Sequence, residues 1–158
     1  MPLLKALIAL FCLLPGLSLA AGMPMTKDLQ AAYNKNGLNN QGQGKVVLLL
    51  VSQPNCSYCV QITEEILKPM LISGNYKQTT VFSELEINTG GQIVDFNGEK
   101  VDATQFARRY NAWATPTLLF LDGQGREVSN KMVGINTLEL YGYYVDRSLE
   151  KGFIKINP

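Results

Sequence analysis

K-V-V-L-L-L-V-S-Q-P-N-C-S-Y-C-V, residues 45–60, sets two cysteines directly behind a continuous apolar run. Lys45 to Val51, with its β-branched members, suits a strand covered on both faces. Residues 57–68 follow as a helix, with Pro69 as its kink or break. Cys56 therefore falls where strand gives way to helix. There, unpaired backbone N–H groups and the positive end of the helix dipole favour a thiolate. Cys59 is one turn further on, in phase with Ile62 and Ile66, so it is expected to face inward.

The pair admits three readings. A zinc clip would supply two of four ligands, and the chain has no histidine and only one further cysteine, Cys12. A structural staple would close a loop of four residues, for which chain entropy gives roughly 2 kcal/mol against ~4.7 for a hundred-residue loop. Reversible thiol–disulfide exchange uses the placement itself. An exposed, acidified first sulfur attacks, and a sheltered second one resolves the mixed disulfide.

Composition narrows the field around these cysteines. With 158 residues, 46 % of them hydrophobic, the chain can bury one core, and one domain is expected. Fourteen Lys and Arg against 13 Asp and Glu, without blocks, give no electrostatic footprint for nucleic acid or an anionic membrane surface. The absence of histidine removes the imidazole base of Ser-His-Asp and Cys-His catalysis. A c-type haem attachment is excluded because Val60 follows the second cysteine.

The N-terminus carries its own signal. Lys5 precedes the apolar run A-L-I-A-L-F-C-L-L-P (6–15), and S-L-A (18–20) places small residues before a cleavage point after Ala20. Residues 1–20 are read as a cleavable signal peptide and 21–158 as a single exported domain, with the periplasm as its compartment. An uncleaved anchor is the alternative, although the run is short for a membrane span. Cleavage removes Cys12 and Lys5 and no acid, leaving Cys56 and Cys59 as the only cysteines of a charge-balanced chain.

Further elements follow from periodicity. Thr26 can cap a helix over 26–33, and 34–44 is a polar, glycine-bearing linker. Residues 79–87 read as a second strand, and 89–100 as a surface hairpin. Asp102 caps a helix over 103–111; 117–122 is another buried strand, turned by D-G-Q-G into 126–133. Residues 138–149 close the chain as a helix with Leu138, Tyr141, Val145 and Leu149 on one face. Strand–helix–strand units favour parallel pairing, and 117–133 must be antiparallel. The expected fold is α/β, a three-layer sandwich with a mixed central sheet and helices on both faces.

With W-A-T-P-T-L-L-F-L-D (113–122) placing Pro116 just before a buried strand, the chain resembles the thioredoxin superfamily. The resemblance covers residues 45–134 closely and 26–150 in outline. It implies a thioredoxin-like sandwich and a cis Thr115–Pro116 bond, although only about 5–6 % of X–Pro bonds in folded proteins are cis. It also implies that Cys56 is the nucleophile and Cys59 the resolving thiol. Thr115 and Pro116 would position a partner peptide by a short β-augmentation, and Ser57 and Tyr58 would tune the pair.

The dipeptide Ser-Tyr, with Thr before the proline, is similar to glutaredoxins and to catalytic domains of disulfide isomerases. It is most similar to thioredoxin-related proteins of periplasmic sulfur oxidation. The implied activity is thiol–disulfide oxidoreduction of a disulfide-containing protein, in the reductase direction, by a monomer. A disulfide donor or isomerase, and a non-catalytic binding module with an inert bridge, are the alternatives. A reductase in an oxidising compartment needs a membrane thiol-electron transporter, but no cofactor and no metal.

The chain departs from the family twice: Leu50 stands where thioredoxin keeps a buried acid, and Asn55 replaces the tryptophan before the motif. Glu64, Glu65, Arg108 and Arg109 are expected on solvated helix faces. Tyr141, Tyr143 and Tyr144 are expected in core and boundary packing, and Trp113 either lines the partner groove or packs in the core.

Overall fold

The apolar run becomes β1, Val46–Ser52, buried along its whole length. The structure is a computed structural model that describes residues 22–158, so the leader read from residues 1–20 lies outside it. Each Leu or Val fully buried in such a strand stabilises the fold by about 1.5–3 kcal/mol. β1 is central in a four-stranded sheet ordered β2-β1-β5-β6, with β2 at Thr80–Glu86, β5 at Thr117–Leu121 and β6 at Glu127–Val133. β1 pairs with β2 in parallel and with β5 antiparallel, and β5 and β6 form an antiparallel hairpin. The mixed sheet expected from element order is present.

Alternation along β1 divides the core in two. Val47, Leu49 and Val51 face one cluster with Leu29, Phe106 and Ala107, covered by α1 (Leu29–Asn36) and α4 (Ala103–Arg109). Val46, Leu48 and Leu50 face the other with Ile62, Leu67, Tyr141, Val145 and Leu149. That side is covered by α2 (Ser57–Ile62), α3 (Lys68–Ile72) and α5 (Leu138–Ile156). A separate hairpin, β3 (Gln92–Val94) with β4 (Lys100–Asp102), is inserted between β2 and α4.

Several boundaries move, each for a local reason. The first helix is capped by Asp28, whose Oδ1 accepts from Ala31 N–H at 2.7 Å, so it starts after Thr26 and runs to Asn36. Pro69 does not end the helix after the cysteines. Residues Thr63–Leu67 form a π turn, in which Lys68 N–H reaches back to Thr63, and Pro69 enters in the first turn of α3. A proline there loses no bond that the first helical turn would have made. α5 continues seven residues beyond Leu149 because Phe153 and Ile156 pack against the same cluster.

Arg108 and Arg109 are exposed as expected, but Arg109 also reaches inward, its Nη1 donating to the buried Asp95 carboxylate at 2.6 Å. Of the three tyrosines of α5, Tyr141 is core, but Tyr143 and Tyr144 are largely exposed and pack edge to face on each other. Two and three residues beyond Tyr141, they turn off the stripe that Tyr141, Val145 and Leu149 bury. Trp113 is also exposed and is no core residue.

Candidate active site

Cys56 is the N-cap of α2. Its backbone is extended, and its Sγ accepts from Cys59 N–H at 3.1 Å. The two sulfurs are joined in a disulfide with Cα atoms 5.2 Å apart. Cys56 is half-buried, whereas Cys59 is only 4 % exposed and lies on the Ile62 side of the helix. The asymmetry between an outer and an inner sulfur therefore exists in the fold. The turn that delivers Cys56 passes through Asn55 at φ 59°, left-handed backbone that Asn tolerates better than bulkier residues. That conformation gives a physical reason for Asn55 where the resemblance led to a tryptophan.

Thr115–Pro116 is a cis peptide at the mouth of β5. Pro116 is buried, and its carbonyl accepts from Gly134 N–H at 2.8 Å. The next residue, Thr117, pairs with Val51, one residue before β1 ends and the chain turns towards Cys56. Among the described residues, no hydrogen bond uses the Thr115 backbone.

A surface cleft of about 670 Å³ opens beside the cysteines. Cys56, Ser57 and Cys59 line it; Tyr58, Thr115 and Pro116 do not. Tyr58 instead points its ring into solvent at 63 % exposure. Three carboxylates, Glu64, Glu84 and Glu86, line the same cleft, and no Lys or Arg does among the described residues. Glu64 is paired with Lys68 Nζ at 2.8 Å on the exposed side of the helix. Glu84 accepts from Ser52 Oγ at 2.6 Å.

Ser52, Glu84 and Glu86 were not singled out from the sequence. The signal was there: F-S-E-L-E puts Phe82, Glu84 and Glu86 on one face of a strand. Only the parallel register, with Leu50 opposite Glu84 and Ser52 opposite Glu86, brings that face to the cysteines.

Among the described residues, no group of three or more His, Cys, Asp or Glu is arranged to hold a metal ion, and no helix is long and apolar enough to cross a membrane.

The model of the thioredoxin-like domain matches residues 34–144, most of the chain. The chain belongs to the thioredoxin-like family. With a C-x-x-C pair at the helix start, this thioredoxin-like protein is a thiol–disulfide oxidoreductase. Among solved structures it is similar to the DsbH oxidoreductase at 16 % identity. That match spans 87 % of this chain and 92 % of that one, with a TM-score of 0.51, a likeness of fold. A thioredoxin of Fasciola hepatica matches at 17 % identity, over 80 % of this chain and 99 % of that one, with a TM-score of 0.49. A thioredoxin-fold protein from Helicobacter pylori matches at 21 % identity, over 82 % and 92 %, with a TM-score of 0.47. No curated protein matches the chain.

Proposed function

We propose that this thioredoxin-like protein is an exported, periplasmic reductase of partner-protein disulfides. Cys56 attacks a disulfide of the partner, and the partner's second sulfur leaves as a thiol. Cys59 then attacks Cys56 Sγ and releases the partner's other sulfur. Two electrons pass from the cysteine pair to the partner, and a membrane thiol-electron transporter restores the dithiol. Export rests on the leader read from residues 1–20. The Thr115 backbone offers a docking edge to an extended segment of the partner, with Pro116 holding it there. Ser57 and Tyr58, exposed beside Cys56, tune the pair.

The observation that carries the direction is the cleft lining. A pair becomes a strong oxidant when its thiolate form is stabilised. Here the helix start favours a Cys56 thiolate, but the charges lining the cleft are carboxylates, and of these only Glu64 is paired with a cation, Lys68. Like charge raises the thiolate in energy relative to the disulfide. The oxidised state gains, and the dithiol becomes the better electron donor.

Equilibration with thiol–disulfide buffers of known potential, read by alkylation and mass, tests this. A midpoint near that of thioredoxins, about −270 mV, is expected; one near about −120 mV would make the protein a disulfide donor. Activity is tested by insulin disulfide reduction, which should fall to background in Cys56→Ala and in Cys59→Ala. Wild-type rates in both variants would leave the pair an inert bridge.

A further inference from the structure

Resolution requires Cys59 as a thiolate, yet its surroundings oppose ionisation. The side chain is almost fully buried on the Ile62 side of the helix, and burial disfavours the charged form of a thiol. A proton acceptor must reach it from the cleft. β1 supplies none, because its residues facing this side are Val46, Leu48, Leu50 and Ser52. The acceptor has to come from the neighbouring strand or the helix.

Three carboxylates line the cleft, and their settings differ. Glu64 lies on the exposed helix face and is held by Lys68. Glu86, at the end of β2, has no side-chain hydrogen bond among the described residues. Glu84 is fixed. Its Oε1 accepts from Ser52 Oγ at 2.6 Å. Its backbone is paired on both sides, with Leu50 in β1 and with the Pro24–Thr26 segment, where Glu84 N–H donates to Pro24 and Thr26 N–H donates to Glu84. A charge-assisted bond of that length orients a carboxylate. The titratable groups around it are Cys56, Cys59 and Glu64 from the helix and Glu86 from its own strand; Ser52 on β1 and Met25 on the bridging segment carry no charge.

We propose that Glu84, aimed by the Ser52 hydroxyl, takes the proton from the Cys59 thiol as the mixed disulfide resolves. The proposal rests on the reading of Cys56 and Cys59 as a working pair. Before the step, Cys56 Sγ is bonded to a partner sulfur and Cys59 carries its proton. Glu84 accepts the proton, and the Cys59 thiolate bonds to Cys56 Sγ. The bond between Cys56 and the partner breaks with its electron pair on the partner sulfur, which takes a proton from Glu84 or from water. The cysteine pair ends as the disulfide and the partner as a thiol. Ser52 is a positioning residue.

The test is stopped-flow mixing of the reduced protein with dithiobis(nitrobenzoate). One coloured thiolate is released when Cys56 attacks and a second when Cys59 resolves. In Glu84→Gln, which keeps an oxygen for Ser52, the first phase should hold. The second should slow by about a hundredfold at neutral pH, the lower end of what positioned proton transfer contributes. Its rate should then climb steadily with pH and meet the wild-type rate in alkali, where hydroxide does the work. Ser52→Ala should slow the same phase less and serves if Glu84→Gln does not fold, which a thermal melt reports. A second phase with wild-type rate and pH profile in the folded variants overturns the proposal, as does equal slowing of both phases. If the wild-type protein shows no second phase, it is the working-pair reading that fails.

Discussion

Asp95 follows β3 and is about 1 % exposed, which alone would favour its neutral form. Burial does push its carboxyl up, but the Arg109 guanidinium and the amides of Glu99 and Asn97 outweigh it and hold it below the usual carboxylate range. A depressed acid contributes stability that is complete above its unfolded value, about 3.9, and is lost as pH falls through the folded value. Asp95→Asn is therefore expected to cost about 2 kcal/mol at pH 7. The gap to wild type should close as pH falls below about 4. Urea unfolding across that range checks it, and parallel curves would contradict the assignment. This pair was not legible in the sequence. Arg109 has the spacing of a solvated helix face, and nothing local ties it to an acid fourteen residues upstream. Cys56 and Cys59 were legible because strand, turn and helix are all written in adjacent residues.

At the scale of elements, α5 carries two glycines in opposite circumstances. A Cβ on Gly152 would stand 2.8 Å from Val128 and 3.1 Å from Val46, so the helix approaches the sheet by omitting a side chain. A Cβ on Gly142 would meet Ile66 at 3.7 Å, an ordinary contact. Alanine in a helix interior gains about 0.5–1 kcal/mol over glycine, and overpacking costs about 1–3 kcal/mol. Gly142→Ala should raise stability by up to about 1 kcal/mol, and Gly152→Ala should lower it by about 1 kcal/mol because the clash wins. Thermal melts of both variants decide, and a Gly152→Ala protein as stable as wild type would mean the helix can lift off. Gly152 is also why the end of this helix was hard to read. An isolated glycine beyond Leu149 resembles a stop until its close approach to β6 is seen. The helix after the cysteines is masked for a related reason: Pro69 reads as a break, and the π turn ahead of it leaves no trace in periodicity.

In the whole molecule, the parallel β1–β2 pair and the β5–β6 hairpin follow from element order, and so does the sandwich. The register does not, and register decides what stands around the cysteines. Leu50 alone suggests a site stripped of its acid, whereas its partner across the sheet is Glu84. In the proposed function the fold divides the work, with Cys56 as the sulfur that meets the partner and Cys59 as the one that releases it. Trapping tests this most directly. Cys59→Ser, reduced and mixed with insulin, should accumulate a covalent adduct on Cys56 that dithiothreitol releases, and Cys56→Ser should accumulate none. Adducts of equal yield on either cysteine, or adducts confined to Cys59, would contradict the account.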